Sequence, residues 1–310
     1  MQLMTTHPWP DVLTPLFSRA MTCEYASLTR DGTPITTAVT PHLGVDGTTI
    51  DIATGLAYPL KAERARRNPK VSLYFSDPTG SGLRQPPRAL VLGLATVRDA
   101  DLQANTDRYV RLSARRFRTM TRLFPKRVQR RGAWYFARIW IHVTPIRIFW
   151  WPYGAYDQPP QVWEAPPGTA APPSDPPPKG KSPGAAFRSQ TDWHSALAYA
   201  TTHLPDPVLT TVDPDSGYPR SLRLPVLSVN AGEGVVRLAP PPFDWPPCEG
   251  PASLLFHHHP ETFTAQENLT FVGRAEAEAT TITVRLSRQV GTFVLGRNRL
   301  DTLRSIMREA

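Results

Sequence analysis

Val71-Ser72-Leu73-Tyr74-Phe75, followed by Gly93-Leu94-Ala95-Thr96-Val97, is written a second time as Ala252-Ser253-Leu254-Leu255-Phe256 and Gly273-Arg274-Ala275-Glu276-Ala277, at nearly the same spacing. Working outward, the turn at Asp31-Gly32 before Pro34 is matched by Asp215-Ser216-Gly217 before Pro219, and Ile50 to Thr54 by Val235 to Ala239. Landmarks kept in one order at near-constant spacing indicate two units of one fold packed on a shared interface.

Around these landmarks, Cys23 to Thr29, Ile35 to Leu43, Thr48 to Ala53, Val71 to Ser76, Ala89 to Val97 and Ile139 to Ile148 are short runs rich in β-branched residues. Turn signals at Asp31-Gly32, Asp46-Gly47 and Asn68-Pro69 separate the first four, and many short strands so spaced predict a sandwich or a barrel. Trp9 to Met21 reads as a short helix from its apolar spacing, and Asp192 to His203 repeats it before the second set of strands. Pro59 to Arg67 reads as a helical turn, Asp99 to Val128 as a longer arginine-rich helical region broken at Pro125, and Leu300 to Glu309 as a terminal helix. Gln158 to Pro183 is proline-rich without periodicity and reads as an extended linker. The expected division is a first domain over 1–157, a linker over 158–184 and a second domain over 185–310.

The chain has 310 residues, 40% hydrophobic and 20% charged, with a formal net charge of +9 and 35 prolines. Its basic residues are arginines apart from Lys61, Lys70, Lys126, Lys179 and Lys181. Cys23 and Cys248 form no framework or zinc spacing and read as buried thiols. No apolar run approaches the roughly 20 residues of a bilayer span, and Met1 to Pro10 lacks a basic start followed by an apolar core. The expectation is a cytoplasmic protein without membrane association.

Lys61 is the leading candidate for chemistry. It follows a strand that ends at Thr54-Gly55 and opens into a helical segment carrying Arg64, Arg66 and Arg67. A strand end feeding a helix start, with lysine and arginine adjacent, suits a phosphate.

The Asp31-Gly32-Thr33-Pro34 hairpin, the strand to Pro41, Asp46-Gly47, Thr54 with Lys61, the run Arg67-Asn68-Pro69-Lys70-Val71-Ser72-Leu73, and Gly93 with Ala95 together resemble the FMN-binding split-barrel family of pyridoxamine 5'-phosphate oxidase and its deazaflavin-dependent relatives. The resemblance covers Trp9 to Trp151 and extends more faintly to about Arg285. It implies a mainly β fold of two fused six-stranded split barrels with a few short helices. It also implies flavin mononucleotide, or a deazaflavin coenzyme, in a groove between barrels. It places Thr54 and Lys61 near the cofactor phosphate with Arg67 assisting, and Thr37, Ala38 and Thr40 along the flavin ring. The implied activity is hydride transfer to or from a small-molecule substrate, with a non-catalytic flavin- or haem-binding protein or sensor as the alternative. Pro59 stands where the oxidases commonly have serine, and their arginine-anchored strand motif is missing, so vitamin B6 is not implied as substrate. No catalytic residue is assigned.

The second copy reads Ala239-Pro240-Pro241-Pro242-Phe243-Asp244-Trp245-Pro246-Pro247-Cys248-Glu249-Gly250 where the lysine helix should lie. It has no cation there, and its prolines forbid a regular helix. One cofactor site per chain is expected, with the second barrel as its wall in an intramolecular pseudo-dimer; further pairing of chains is left open.

Arg111, Arg115, Arg118 and Arg122 form one helical stripe, continued by Arg127, Arg130 and Arg131. It reads as a solvated face or as a groove for an anionic cofactor tail; without interleaved aromatics it is not read as a nucleic-acid surface. Trp134, Tyr135, Trp140, Trp150 and Trp151 read mainly as packing. His257-His258-His259 alternates across a strand and cannot converge on one metal ion, so no metal is expected. His42 and His142 are the candidates for haem ligation.

Overall fold

A computed structural model describes residues 7–56, 59–116, 137–154, 156–177 and 192–295. The first unit opens with helix α1 (Thr14–Arg19) and contains β1 (Cys23–Leu28), β2 (Pro34–Val39), β3 (Pro41–Leu43), β4 (Ile50–Gly55), helix α2 (Leu60–Arg67), β5 (Lys70–Phe75), β6 (Arg88–Arg98), helix α3 (Leu102–Arg116), β7 (Arg138–Trp151) and β8 (Gln161–Glu164). The second contains helix α4 (Trp193–His203), β9 (Val208–Val212), β10 (Pro219–Arg223), β11 (Val226–Asn230), β12 (Val235–Leu238), β13 (Gly250–His258), β14 (Gln266–Ala277) and β15 (Ile282–Leu295).

The two sheets have one topology. Strands run β2-β1-β5-β6-β7-β4-β3 in the first, with β8 added on β7, and β10-β9-β13-β14-β15-β12-β11 in the second. All pairings are antiparallel. β2 and β3 stand at opposite ends of the path yet are separated in the chain by Thr40 alone. They are one strand bent at Thr40-Pro41, whose halves pair with β1 and β4 and close the sheet on itself. β10 and β11 do the same across Leu224-Pro225. Counted this way, each unit is a six-stranded split barrel, and the fold is the tandem pair that the resemblance implies.

Sequence reading placed most of these strands to within a few residues, missing β8 and the second half of β15, and the recurring glycine has a physical reason. Register slips at Leu92/Gly93 between β6 and β7, and at Val272/Gly273 between β14 and β15. A Cβ on Gly93 would lie 2.7 Å from the Thr144 carbonyl oxygen, and one on Gly273 would collide with the Arg285 carbonyl. Both bulges bring the neighbouring backbone too close for any side chain.

Each barrel encloses an apolar core. The first is built around Phe17, Tyr25, Ile50, Ile52, Leu73 and Ile141. The second extends across the interface and takes in Ala38, Tyr74, Leu90, Leu92 and Trp151 from the first unit. At the centre of the interface Thr36 Oγ1 donates to Thr210 Oγ1 (2.7 Å), Ser253 Oγ accepts from Thr36 N (3.2 Å), and Thr270 Oγ1 donates to Thr36 O (3.1 Å).

The tract expected to be a linker over 158–184 is, as far as Asp175, bound to the first barrel. β8 pairs with β7, Thr96 Oγ1 donates to Pro172 O, Val97 N donates to Ser174 Oγ, and Asp175 accepts from Asp99 N, Ala100 N and Arg98. Proline fixes an extended backbone without donors of its own, so β6 and its flank supply them. Residues 178–191 and the expected terminal helix lie outside the described residues.

Candidate functional site

The end of β4 is the structural landmark around Lys61. Gly55 lies opposite Arg138, and Leu56 N donates to Ala137 O (3.1 Å), so the first residue of β7 is brought beside the strand that leads into α2. Helix α2 buries Ala62 and Ala65 against the barrel. Its charged residues then divide by helical spacing. Glu63 and Arg66 pair at 4.0 Å, and Arg66 reaches Asp99 at 2.7 Å, so this arginine is neutralised within the fold. Lys61 and Arg64 occupy the neighbouring stripe, and Arg64 Nε donates to Ser27 Oγ on β1 (2.9 Å).

Burial, with the charges of Arg64 and Arg138 beside it, pushes the Lys61 ammonium down to about 8. Arg138 is buried and its guanidinium lies 4.0 Å from the Tyr109 ring centroid on α3. Arg64 and Arg138 thus raise the cost of charging Lys61, and an anion beside them would lower it. Thr54 is buried at the strand end. Arg67 is exposed in the last turn of α2, where its charge bears on Arg64. Arg138 was missed in the sequence because only the β4–β7 pairing brings it to Lys61.

Of the three residues expected along a flavin ring, Ala38 shares a β2 face with Thr36 and is buried in the core common to both barrels. Thr37 points to the other face, where its Oγ1 is buried without a hydrogen-bond partner among the described residues. Thr40 is half-buried at the bend between β2 and β3.

The matching region of the second unit is built differently. Between β12 and β13 no helix forms; Phe243 and Trp245 instead pack on the first barrel. Trp151 meets Tyr156 (5.1 Å between centroids), Phe243 (5.5 Å) and Trp245 (6.0 Å), and Phe149 meets Trp245 (5.3 Å). Arg223, one register position from the β10 counterpart of Thr37, reaches across the interface. It donates to Glu24 Oε1 (3.1 Å) and Ser76 Oγ (2.9 Å), and Glu24 Oε1 also lies 2.7 Å from His257 Nε2. Glu24 and His257 are fully buried. Burial alone would raise the Glu24 carboxyl, but His257, Arg223 and Ser76 hold it below its ordinary value. His257 on β13 and His259 just past its end are both buried, His259 reaching Thr22 Oγ1 (3.1 Å), while His258 is exposed. The expected alternation holds, and among the described residues no group of three or more His, Cys, Asp or Glu is arranged to hold a metal ion.

His42, Asp51 and His142 lie in one register row across β3, β4 and β7 beneath α3. Arg108 pairs with buried Asp51 at 2.6 Å and covers Trp140, while Arg116 donates to Pro41 O and Ser18 O. Burial, reinforced by Arg116 and Arg108, pushes His42 down to about 3. Arg111 and Arg115 are exposed on α3; Arg118, Arg122, Arg127, Arg130, Arg131, Trp134 and Tyr135 lie outside the described residues. Trp140, Trp150 and Trp151 are buried, as expected.

No family model matches the sequence, and no curated protein does. The chain is similar in structure to several solved proteins, each over about half its length. A putative pyridoxamine 5'-phosphate oxidase from Listeria innocua is 20% identical, with 44% of this chain and 92% of that one covered and a TM-score of 0.31. An F420 reductase is 21% identical (45% and 98% covered, TM-score 0.34). A pyridoxamine 5'-phosphate oxidase-related, FMN binding protein from Nostoc punctiforme is 14% identical (49% and 84% covered, TM-score 0.34).

Proposed function

We propose that this chain is a flavin-dependent oxidoreductase of the pyridoxamine 5'-phosphate oxidase-like kind, binding one flavin mononucleotide, or a deazaflavin coenzyme, between its barrels. The observation that carries the reading is the one-sided cationic corner: Lys61, Arg64 and Arg138 gather at the end of β4, while the second unit has no basic side chain between β12 and β13. The residues fit a phosphate-bearing cofactor. Lys61 and Arg64 would hold the phosphate with Thr54 beside them, Arg67 would guard the rim, and Thr37, Ala38 and Thr40 would lie along the ring. The buried Thr37 hydroxyl lacks a partner among the described residues, as expected of a group that meets a ligand.

When bound, the flavin supplies hydride transfer at its N5 position, or at C5 in the deazaflavin. The chain's own contribution is to fix the phosphate, exclude water from the ring and leave one face for a small-molecule substrate. The second unit offers no basic side chain between β12 and β13 for a second phosphate, which supports a stoichiometry of one. His42 and His142 are committed to Asp51, Arg108 and Trp140 under α3, so haem is not carried forward.

A second reading, a flavin-binding protein without turnover, is favoured by β2 itself, since no side chain from Pro34 to Thr40 titrates. The test is the absorption spectrum of the purified protein with mass measurement of the released cofactor, followed by reduction with a nicotinamide donor. A bound flavin or deazaflavin that is reduced and reoxidised supports the enzyme; one that binds without turnover supports the second reading. A colourless chain that takes up neither overturns both.

A further inference from the structure

The segment that replaces the lysine helix in the second unit lines a cavity of about 310 Å³. Two of its walls are aromatic. The Phe243 and Trp245 rings stand at 89° with their centroids 5.9 Å apart, forming a right-angled corner. Four prolines, at 240, 241, 246 and 247, also line it and stiffen the segment, together with Cys248, Ala277 and Ile282. Asp244, Glu249 and Glu278 also line the cavity, which has no lysine, arginine or histidine in its lining although the chain carries a net charge of +9. None of these three carboxylates takes an ion pair among the described residues. Trp245 already accepts a guanidinium on one side, with Arg220 5.7 Å from its ring centroid.

We infer that this cavity is a binding site for a small organic cation of the quaternary ammonium class, seated in the aromatic corner and neutralised by Asp244, Glu249 and Glu278. Perpendicular ring faces attract a weakly hydrated cation through their quadrupoles, and nearby carboxylates add Coulomb attraction without requiring a directional hydrogen bond. A cavity of a few hundred Å³ suits a ligand of this size. Segment 239–249 of the second unit corresponds to 56–69 of the first, so the same place in the repeat has changed sign, from a cationic corner to an anionic aromatic one. The inference stands independently of flavin binding.

Calorimetric titration of the intact protein with choline, and with its neutral isostere 3,3-dimethylbutan-1-ol, tests it. Choline is expected to bind saturably at one per chain and about tenfold more tightly than the isostere, since only the cation–π and carboxylate contributions differ. The triple variant Asp244→Asn, Glu249→Gln, Glu278→Gln changes exposed positions and is expected to stay folded while losing about tenfold in affinity; Phe243→Leu, which keeps apolar volume, is expected to weaken choline by about fivefold. Flavin affinity should be unchanged in the triple variant. No saturable choline binding up to about 10 mM, equal affinity for the isostere, or a triple variant that binds as well as the parent would overturn the inference.

Discussion

The chain between β4 and β5 and the chain between β12 and β13 begin and end at equivalent strands, yet one is a basic helix and the other a proline-rich aromatic segment. The difference extends to the next connection. Where α3 joins β6 to β7, the second unit turns from β14 to β15 through Glu278 N donating to Thr281 O. The barrel scaffold was kept, while the insertions that carry charge were kept in one copy only. Strand pairing and bulge glycines are fixed by backbone geometry that both copies must satisfy; connections between strands are not.

The comparison is broken most forcefully at the interface. Glu24 on β1 corresponds by register to Val208 on β9. Glu24→Ala leaves the half-buried Arg223 guanidinium without its counter-charge and the buried His257 ring without its carboxylate partner, and is expected to cost about 3–5 kcal/mol in denaturant unfolding, whereas Val208→Ala should cost about 1–3 kcal/mol. Equal effects would remove the proposed asymmetry of the interface. The pH dependence has a definite sign. The Glu24 carboxyl is lowered in the fold, so its contribution is present above the unfolded value of 4.5 and is lost as pH falls through the folded value. The acid limb of the stability curve should therefore flatten in Glu24→Gln.

Gly93→Ala and Gly273→Ala test what the copies share. Both place a Cβ against backbone, and each is expected to destabilise by about 1–3 kcal/mol. A tolerated substitution at either position would break the equivalence of the two bulges.

Lys61→Ala is expected to weaken flavin mononucleotide binding by about 1–3 kcal/mol, measured by fluorescence titration, and Pro246→Ala to leave it unchanged. Riboflavin, which lacks the phosphate, should be insensitive to Lys61. With Lys61 at about 8 before ligand arrives, affinity for the phosphate should be highest below that value and decline as pH rises past it. A flat profile from pH 7 to 9 would take Lys61 out of the phosphate contact. The smallest effect belongs to the exposed helix stripe: Arg111→Ser with Arg115→Ser should change stability by less than about 0.5 kcal/mol.

The strands were legible because alternation, β-branched runs and turn residues all act locally. Lys61 and Thr54 were legible because they adjoin in sequence. Arg138 was not, since nothing around it marks a partner across the β4–β7 ladder. Gln158 onward was expected to be a linker because proline supplies no donors and no periodicity. Its carbonyls and the Asp175 side chain nevertheless found donors on β6 and beyond, a match that no local signal announces. Glu24, Arg223 and His257 were passed over for the same reason, as each is unremarkable in its own strand.

By itself the sequence determined the duplication, the positions of most strands along each copy and the lack of cations in the second, because these follow from short-range pattern and from comparing one copy with the other. Tertiary structure alone decided which charges meet: Lys61 with Arg138, Glu24 with Arg223, the Phe243 and Trp245 rings with Trp151. Strand pairing and barrel docking join residues that are far apart in the chain, and burial then sets the energy of each encounter.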